Sequence, residues 1–357
     1  MLLIFFVSCS NNGTNEQYNE VSDLSELTAG FGDRRLYAFA ILEDSVLFAG
    51  SDHSPNSEPN NRIYYRYFFD TSTFVQIGTF SNFYMSTGDY TLIDNMVYFD
   101  STLYTDNNEL YNAIFMIDLD QNTLTRLNED MQSIEIFHLM SYKGDLISLK
   151  RRVESGYEIT YFETFCLNTK ETEKVLESKV NMDTREGTEY LSYTVHDDMI
   201  YVMSYDSESN DEVVILVYDE HFDIYKSINL GESYEYIMGN RPHTFRIFGD
   251  FVYILNYSMR SFIGRIEEGD YLSHIHSGTL TVAPTANIRD GELLLFERHS
   301  RSTLLLDINT GNIKEDLIKF ADGYNIMYIV VNEDLLFLCA TPEEINFINY
   351  KYALQAR

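Results

Sequence analysis

The sequence predicts an all-β protein, and two observations support this prediction. The chain of 357 residues contains 28 Tyr and 24 Phe but no Trp, and aromatic residues favour the pleated, half-buried surface of a sheet. Pairs of short apolar runs are also separated by Asp, Asn or Gly, which tolerate the positive φ of tight hairpin turns. A hydrophobic content of 45% is enough for a large packed core, so a globular chain is expected.

One hairpin unit recurs along the chain. Each copy is an apolar strand, an acidic or glycine turn and a second apolar strand, as in "AFAILEDSVLFAG" near the start and "MYIVVNEDLLFLC" near the end. The seven turns contain Asp44, Asn95, Asp145, Asp198, Asp250, Gly291 and Asp334, at spacings of 41 to 53 residues. In five copies a second pair of strands follows, as in "YYRYFFDTSTFVQIG".

Seven repeats of about four strands resemble a β-propeller. The resemblance implies seven four-stranded antiparallel blades over residues 25–357. The last copy shows only three strands, so an N-terminal strand in "LSELTAGFGDRRL", residues 24–36, is expected to complete the last blade and close the ring. Closure would also cover an exposed sheet edge. A β-sandwich is the main alternative, but it does not generate a repeat of this length.

The first residues predict export. "MLLIFFVSC" is an apolar run too short to span a bilayer, which takes about 20 residues, so residues 1–9 are interpreted as a secretory signal remnant. "FVSC" resembles the lipobox of bacterial lipoproteins, which implies that Cys9 carries lipid; a signal fragment without lipid is the alternative. Residues 10–24 are then a flexible tether. We expect an extracytoplasmic protein, lipid-anchored in the bacterial cell envelope.

The charge narrows the possible partners. A net charge of -31 argues against nucleic acid, which needs clustered Lys and Arg, and against adhesion to anionic lipid. Membrane contact is therefore expected through the lipid anchor only. The charge itself is interpreted as a solubility feature, with an acidic cation-binding face as the alternative. The chain most resembles bacterial propeller lipoproteins, mostly inferred to bind or scaffold, and a monomer is expected.

Basic residues mark one candidate ligand surface. In propellers the connections between the second and third strands of a blade line one mouth of the central channel, and function concentrates in such loops. Residues 150–158 are expected to be one of these polar connections. The basic residues assigned to this rim are Lys150, Arg151, Arg152, Arg260, Arg298 and Arg301. Arginine suits carboxylate or phosphate ligands, so an acidic glycan is one candidate ligand; solvated loop charges are the alternative.

A second set of polar residues falls in or beside the predicted inner strands, near the channel. It consists of His138, His196, His243, Arg246 and Arg289. These side chains are candidates for ligand binding. The alternative is that they bind water and one another.

Calcium is not predicted at the stretch "IDLDQNTLTRLNE", although its acidic spacing resembles a calcium loop. Thr123 and Arg126 occupy the positions where that loop needs glycine and an oxygen ligand. Asp118 instead aligns with Asp70, Asp219 and Asp307 of other copies, which predicts a side chain that caps a turn. Asp206, Glu208 and Asp211 of "DSESNDE" are the remaining candidates for a divalent cation, with a solvated loop as the alternative; no metal site is assigned.

Catalytic motifs are missing from the sequence. It has no Gly-x-Ser-x-Gly elbow, no His-Glu-x-x-His and no phosphate-binding glycine loop, so no catalytic residue and no cofactor are assigned. We expect a binding or scaffold protein that recognises a protein or a glycan at the channel mouth. The alternative is a hydrolase or lyase acting on an acidic saccharide, with a His or Tyr for proton transfer. Cys166 and Cys339 lie in apolar runs and are expected to be buried free thiols.

Overall fold

Every regular element that the structure describes is a β-strand, which confirms the all-β prediction. The structure is a computed structural model. It describes residues 20–23, 35–42, 44–51, 61–68, 70–71, 73–85, 90–104, 109–128, 135–206, 212–230, 242–256, 261–278, 280–281, 292–297, 302–307, 310, 312–319, 325–331, 335–340 and 345–349. Within these ranges there is no apolar helix of the length needed to cross a bilayer.

The strands are numbered in chain order. The first fourteen are β1 (Glu20–Asp23), β2 (Arg35–Ile41), β3 (Ser45–Ser51), β4 (Arg62–Phe68), β5 (Thr73–Phe80), β6 (Phe83–Met85), β7 (Tyr90–Ile93), β8 (Met96–Tyr104), β9 (Leu110–Asp118), β10 (Thr123–Arg126), β11 (Glu135–Tyr142), β12 (Asp145–Glu154), β13 (Tyr157–Phe165) and β14 (Thr172–Asn181). The others are β15 (Thr188–His196), β16 (Met199–Asp206), β17 (Glu212–Tyr218), β18 (Ile224–Asn229), β19 (Pro242–Phe248), β20 (Phe251–Asn256), β21 (Ser261–Glu267), β22 (Tyr271–Gly278), β23 (Leu280–Thr281), β24 (Glu292–Glu297), β25 (Ser302–Asp307), β26 (Ile313–Lys319), β27 (Asn325–Val331), β28 (Leu335–Ala340) and β29 (Ile345–Asn349).

The chain forms two compact units, and the first takes its strands from residues 1–80 and 279–357. It contains three four-stranded sheets, in the orders β2-β3-β4-β5, β23-β24-β25-β26 and β1-β29-β28-β27. In the third sheet β1 runs antiparallel to β29, with Glu20 opposite Ile348 and Asp23 opposite Asn346. The last repeat, with its three predicted strands, therefore has a fourth strand from the N-terminal part of the chain.

The position of β1 corrects two sequence expectations. The strand that pairs with β29 is Glu20–Asp23, not a strand within residues 24–36, and it lies inside the segment expected to be a tether. The sequence "EVSD" lacks the alternation of apolar residues that predicts a strand. It forms a strand because it pairs with the edge of β29. Of residues 24–36, Arg35 and Leu36 open β2, and the others lie outside the described residues.

The second unit comprises residues 81–278. One sheet has the order β11-β12-β13-β14, and a five-stranded sheet has the order β10-β9-β8-β6 with β7 also paired to β8. In an eight-stranded sheet, β15-β16-β17-β18 and β22-β21-β20-β19 are joined by one parallel pair, Asn229 opposite Tyr271. The described strands thus form six hydrogen-bonded sheets rather than the seven separate ones predicted, because two sets of four share one sheet.

Of the predicted turn residues, Asp44, Asn95, Asp198 and Asp250 lie between paired strands as expected, whereas Gly291 and Asp334 lie outside the described residues. Asp94, Asp197 and Asp198 adopt φ values of 53°, 49° and 57°, the left-handed backbone that Asp tolerates better than most residues. One turn is displaced by a residue: Lys143 and Gly144 form it, with φ of 52° and 82°. Asp145, predicted as a turn residue, opens β12, and its carboxylate accepts a hydrogen bond of 2.8 Å from the backbone N–H of Leu167.

Five groups of four consecutively paired strands, called sets below, each have a β-bulge in their first strand. These first strands are β2, β11, β15, β19 and β27. The residue without a partner in the facing strand is Phe39 in β2, His138 in β11, Leu191 in β15, His243 in β19 and Met327 in β27. A bulge bends its strand and increases the local twist. The five strands therefore share an irregularity that no pattern in the sequence announces.

Aromatic side chains form much of the core between sheets in the second unit. Phe162 of β13 is fully buried and meets Tyr193 of β15 edge to face, with ring centroids 5.0 Å apart. The Tyr193 hydroxyl donates a hydrogen bond of 2.7 Å to the backbone oxygen of Ile147. Tyrosine thus supplies large apolar surfaces here while its polar end is satisfied.

Candidate binding surface at the tip of the β12–β13 hairpin

The hairpin of β12 and β13 is long and regularly paired. Its strands pair without interruption from Leu146 opposite Phe165 to Glu154 opposite Tyr157. Ser155 and Gly156 form the two-residue turn, with φ of 52° and 83°. The Gly156 oxygen accepts a hydrogen bond of 2.9 Å from the N–H of Met182, just beyond β14. The polar loop expected over residues 150–158 is therefore strand except at this turn, and we call residues 153–157 with Met182 the tip.

Each of the three predicted ligand residues in this hairpin contacts a carboxylate of its own sheet. The Lys150 ammonium is ion-paired with Glu163, and the Lys150 side chain is only 1% exposed. The guanidinium of Arg151 lies 3.0 Å from a carboxylate oxygen of Glu158. An anionic ligand would have to compete with these carboxylates, because they already occupy cationic donors. Ligand binding by these residues stays a prediction.

A network of charged and aromatic groups joins β12, β13 and β14 beside the tip. Arg152 and Lys174 lie over the ring of Tyr161, with their charged ends 5.4 and 5.1 Å from its centroid, a favourable placement of cations on an aromatic face. A hydrogen bond from Lys174, partly opposed by burial, lowers the pKa of the Glu177 carboxyl, and Lys179 at 3.0 Å adds to the effect. The network balances charge within the sheet.

Apolar side chains are exposed at the tip. Val153, Tyr157 and Met182 expose 45%, 43% and 41% of their surface. Val153 is opposite Glu158 and Tyr157 is opposite Glu154 in the ladder, so Val153 and Tyr157 point to opposite faces of the hairpin. The sequence does not predict this exposure, because charged residues dominate the stretch "KRRVESGYE". The available signal is Tyr157 directly after the two-residue turn and Val153 two residues before it.

The sheet that carries the tip is electrically unlike the rest of the chain. Residues 135–187 hold eight of the 25 Lys and Arg residues and ten of the 56 Asp and Glu residues, a net charge of -2. The whole chain has -31. The tip thus presents apolar groups on a region of nearly balanced charge, the arrangement that a protein partner can cover at low desolvation cost.

The candidate residues of the inner strands are not joined by any described contact. His196 ends β15, with its Nε2 atom 3.5 Å from a carboxylate oxygen of Asp197. Arg246 lies in β19 and donates a hydrogen bond of 2.9 Å to the backbone oxygen of Phe245. Ligand binding by these residues stays a prediction.

His138 and His243 occupy the bulge position of their strands. At that position in other sets, Phe39 packs edge to face on Tyr64, with centroids 5.8 Å apart, and Leu191 packs against a buried cluster. In the two sets whose bulge side chain is described, that side chain therefore packs against neighbouring residues. The predicted groups that lie outside the described residues are Cys9, Glu208, Asp211, Arg260, Arg289, Arg298 and Arg301, and the side chains of His138, Asp206 and His243.

Asp118 caps a turn, as its alignment with other copies predicts. One of its carboxylate oxygens accepts hydrogen bonds of 2.9 Å from the N–H groups of Asp120 and Gln121. Asp219 accepts two such bonds in the same way, from His221 and Asp223. The calcium-like spacing is explained by turn geometry, since this oxygen is engaged by the backbone.

Cys166 occupies the equivalent turn between β13 and β14. Hydrogen bonds from the N–H and hydroxyl of Thr169 and from the N–H of Asn168 lower the pKa of the thiol. The thiol is free and half-buried, so the expectation of a buried Cys166 is wrong: the residue stands just after the strand, in the turn, rather than inside the apolar run. The side chain of Cys339 lies outside the described residues.

Comparison with known proteins identifies the fold class. No protein-family model and no curated protein sequence matches the chain. Among solved structures, the chain is similar to the β-propeller domain of the trilobed protease from Pyrococcus furiosus, with a TM-score of 0.54, 15% identity and coverage of 89% of this chain and 96% of that chain. The chain has a β-propeller fold.

Two further structures extend the comparison. The acylaminoacyl peptidase of Pyrococcus horikoshii matches with a TM-score of 0.53 and 14% identity over 85% of this chain and 49% of that one, so the present chain spans about half its length. A proposed 6-phosphogluconolactonase from Bacteroides fragilis matches with a TM-score of 0.51 and 12% identity over 83% and 88% of the two chains. At sequence identities this low, the similarity shows a shared fold and says nothing about activity.

Proposed function

We propose that this chain is an exported β-propeller that acts as a binding or scaffold protein, is held in the bacterial cell envelope by lipid at Cys9, and binds a partner protein through the tip. The observation that carries the binding role is the exposure of Val153, Tyr157 and Met182 on a hydrogen-bonded hairpin end. A hairpin end whose backbone is already held by hydrogen bonds loses little conformational entropy when it binds a partner.

The composition of the tip favours a protein over a glycan. Aromatic residues, Met and Arg are enriched in protein interfaces, and hot spots are rich in Tyr and Arg. Glu154, which is opposite Tyr157 in the hairpin, contacts the guanidinium of Arg152 at 3.2 Å. An acidic glycan would bring further negative charge against the carboxylates that pair with the arginines, whereas an apolar protein surface would leave those pairs in place.

Photocrosslinking in the producing cells tests the binding role. A photoreactive phenylalanine analogue in place of Tyr157 is expected to give a discrete adduct, while the same analogue in place of Tyr225, which is 69% exposed on β18, gives none. The adduct should disappear when Val153→Ser and Met182→Ser are added. Equal labelling from both positions would contradict a specific partner at the tip.

The lipid anchor is tested by fractionation. The wild-type chain is expected in the membrane fraction and labelled by a fatty-acid analogue, and Cys9→Ser should release it without changing its fold. Membrane association that survives Cys9→Ser would refute anchoring at this residue.

We also propose that the ring has seven blades and that β1 closes it. Dividing the eight-stranded sheet at its single parallel pair and counting the β1-β29-β28-β27 sheet as one blade supports seven. The trilobed protease propeller is described as having an open Velcro topology, so closure needs its own test. With the native cysteines replaced by serine, Glu20→Cys with Ile348→Cys is expected to form a disulfide and Glu20→Cys with Asn346→Cys is not, because only the first pair is opposite in the sheet. Equal yields would refute the pairing.

A further inference from the structure

We infer that the protein bound at the tip is positively charged: the acidic body of the chain attracts it from a distance, and the nearly neutral tip provides the contact. This inference rests on the proposed function and adds the chemical character of the partner. It follows from how charge is distributed between the tip sheet and the rest of the molecule.

The long-range part of the argument is electrostatic. With -2 on residues 135–187, the rest of the chain carries -29 of the total of -31. Such a field speeds the approach of a cationic partner and slows that of a polyanion. Because charges are screened over about 8 Å at physiological ionic strength, this attraction acts mainly on the rate of encounter and falls with added salt.

The short-range part depends on ion pairs already made beside the tip. Arg151 contacts Glu158, Arg152 contacts Glu154 and Lys179 contacts Glu177, at 3.0, 3.2 and 3.0 Å. A partner that covers these pairs does not strand a lone buried charge, which would be costly. What the tip offers for new contacts is therefore its apolar side chains.

Glu154 adds a place for a cation of the partner. Its side chain is 60% exposed while it contacts Arg152, and a carboxylate has about four acceptor sites. A Lys or Arg of the partner can share this carboxylate at the rim while an apolar group covers Tyr157. A second copy of this chain fits less well, because both copies would carry the same large negative charge.

Peptide display on the purified mature chain tests the inference. The probes are two displayed pools of random peptides with equal apolar content, one rich in Lys and Arg and the other rich in Asp and Glu. We expect tip-dependent binders from the basic pool only, with an association rate that falls about tenfold or more when salt is raised from about 50 to about 200 mM. Tyr157→Ser with Met182→Ser should weaken them at least tenfold, while Tyr225→Ser, the matched surface control, leaves affinity unchanged.

The possible failures separate the inference from the proposed function. Acidic peptides that bind and are lost with Tyr157→Ser would overturn the inference and leave the tip as a binding surface. Basic peptides whose affinity is unchanged by Tyr157→Ser would overturn both the inference and the proposed function. An absence of binders in both pools would do the same. Self-association measured by light scattering and abolished by Tyr157→Ser would replace the basic partner by a second copy. Melting temperatures of the variants equal to wild type confirm that folding is intact.

Discussion

Replacing Lys150 by methionine should strongly destabilise the sheet that carries the tip. Lys150→Met keeps a long, flexible, apolar stem but removes the cation paired with Glu163. Removing one partner of a buried ion pair costs about 3–5 kcal/mol, because the other charge stays desolvated. The Glu163 side chain keeps 16% exposure, so water relieves part of this cost and we expect about 3 kcal/mol.

Urea and thermal unfolding measure the effect. For a chain of this size about 1 kcal/mol corresponds to roughly 2 °C in melting temperature, so a loss of about 3 kcal/mol in Lys150→Met should lower it by about 6 °C. Adding Glu163→Met to Lys150→Met removes the stranded charge and should recover most of the loss, since a buried pair and an apolar pair are often of similar stability. The double-mutant cycle should therefore give a coupling of about 2 kcal/mol or more.

The result that would refute the reasoning is a Lys150→Met variant that melts within about 1 °C of wild type, an effect under about 0.5 kcal/mol. The ion pair would then contribute little. Lys150 would return to the set of residues whose charge is free to serve a ligand.

Three other predictions concern the turns and the core. Asp118→Ala should cost about 1 kcal/mol in urea unfolding, as loss of a side-chain cap does, while adding or chelating calcium leaves the wild-type melting curve unchanged; a calcium-dependent shift lost in Asp118→Ala would contradict the cap. The lowered pKa of the Cys166 thiol means that its thiolate forms at lower pH than that of a free cysteine, so alkylation should reach half its maximal rate at a lower pH in the folded chain than in the urea-unfolded chain. Thr169→Val should move this midpoint pH upward, because it removes the hydroxyl hydrogen bond to the thiol. Identical midpoints in the folded and unfolded chains would refute this reasoning. Phe162→Ala should cost about 3–5 kcal/mol by opening a cavity in the aromatic core, and a loss under about 1 kcal/mol would mean that Tyr193 and its neighbours close the space.

Features with local causes could be predicted from the sequence. The hairpin turns are visible because Asp, Asn and Gly are chosen at positions of positive φ, as at Asp197 and Asp198. Asp118 could be assigned as a cap because its carboxylate bonds only to residues two and three positions away. In both cases a few consecutive residues contain the whole physical reason.

Features that depend on partners far along the chain could not be predicted from the sequence. The sequence places Lys150 and Arg151 in a polar connection between strands, because nothing near them in the sequence shows that they have partners inside a buried strand. Their partners Glu158 and Glu163 lie on the neighbouring strand, and only the register of β12 with β13 brings the groups together. The short strand β1 is a similar case, since its reason for being a strand is β29, more than three hundred residues away in the sequence.

The recurring bulge limits how these strands can be edited. Without His138 or Leu191, the residues on either side would still face their present partners, so such a deletion would keep the register but remove the bend and the extra twist of the strand. A protein engineer who transplants one blade, or trims it to a shorter sequence, must carry the surplus residue along. A shortened strand would lack the bend and the twist that the surplus residue gives it.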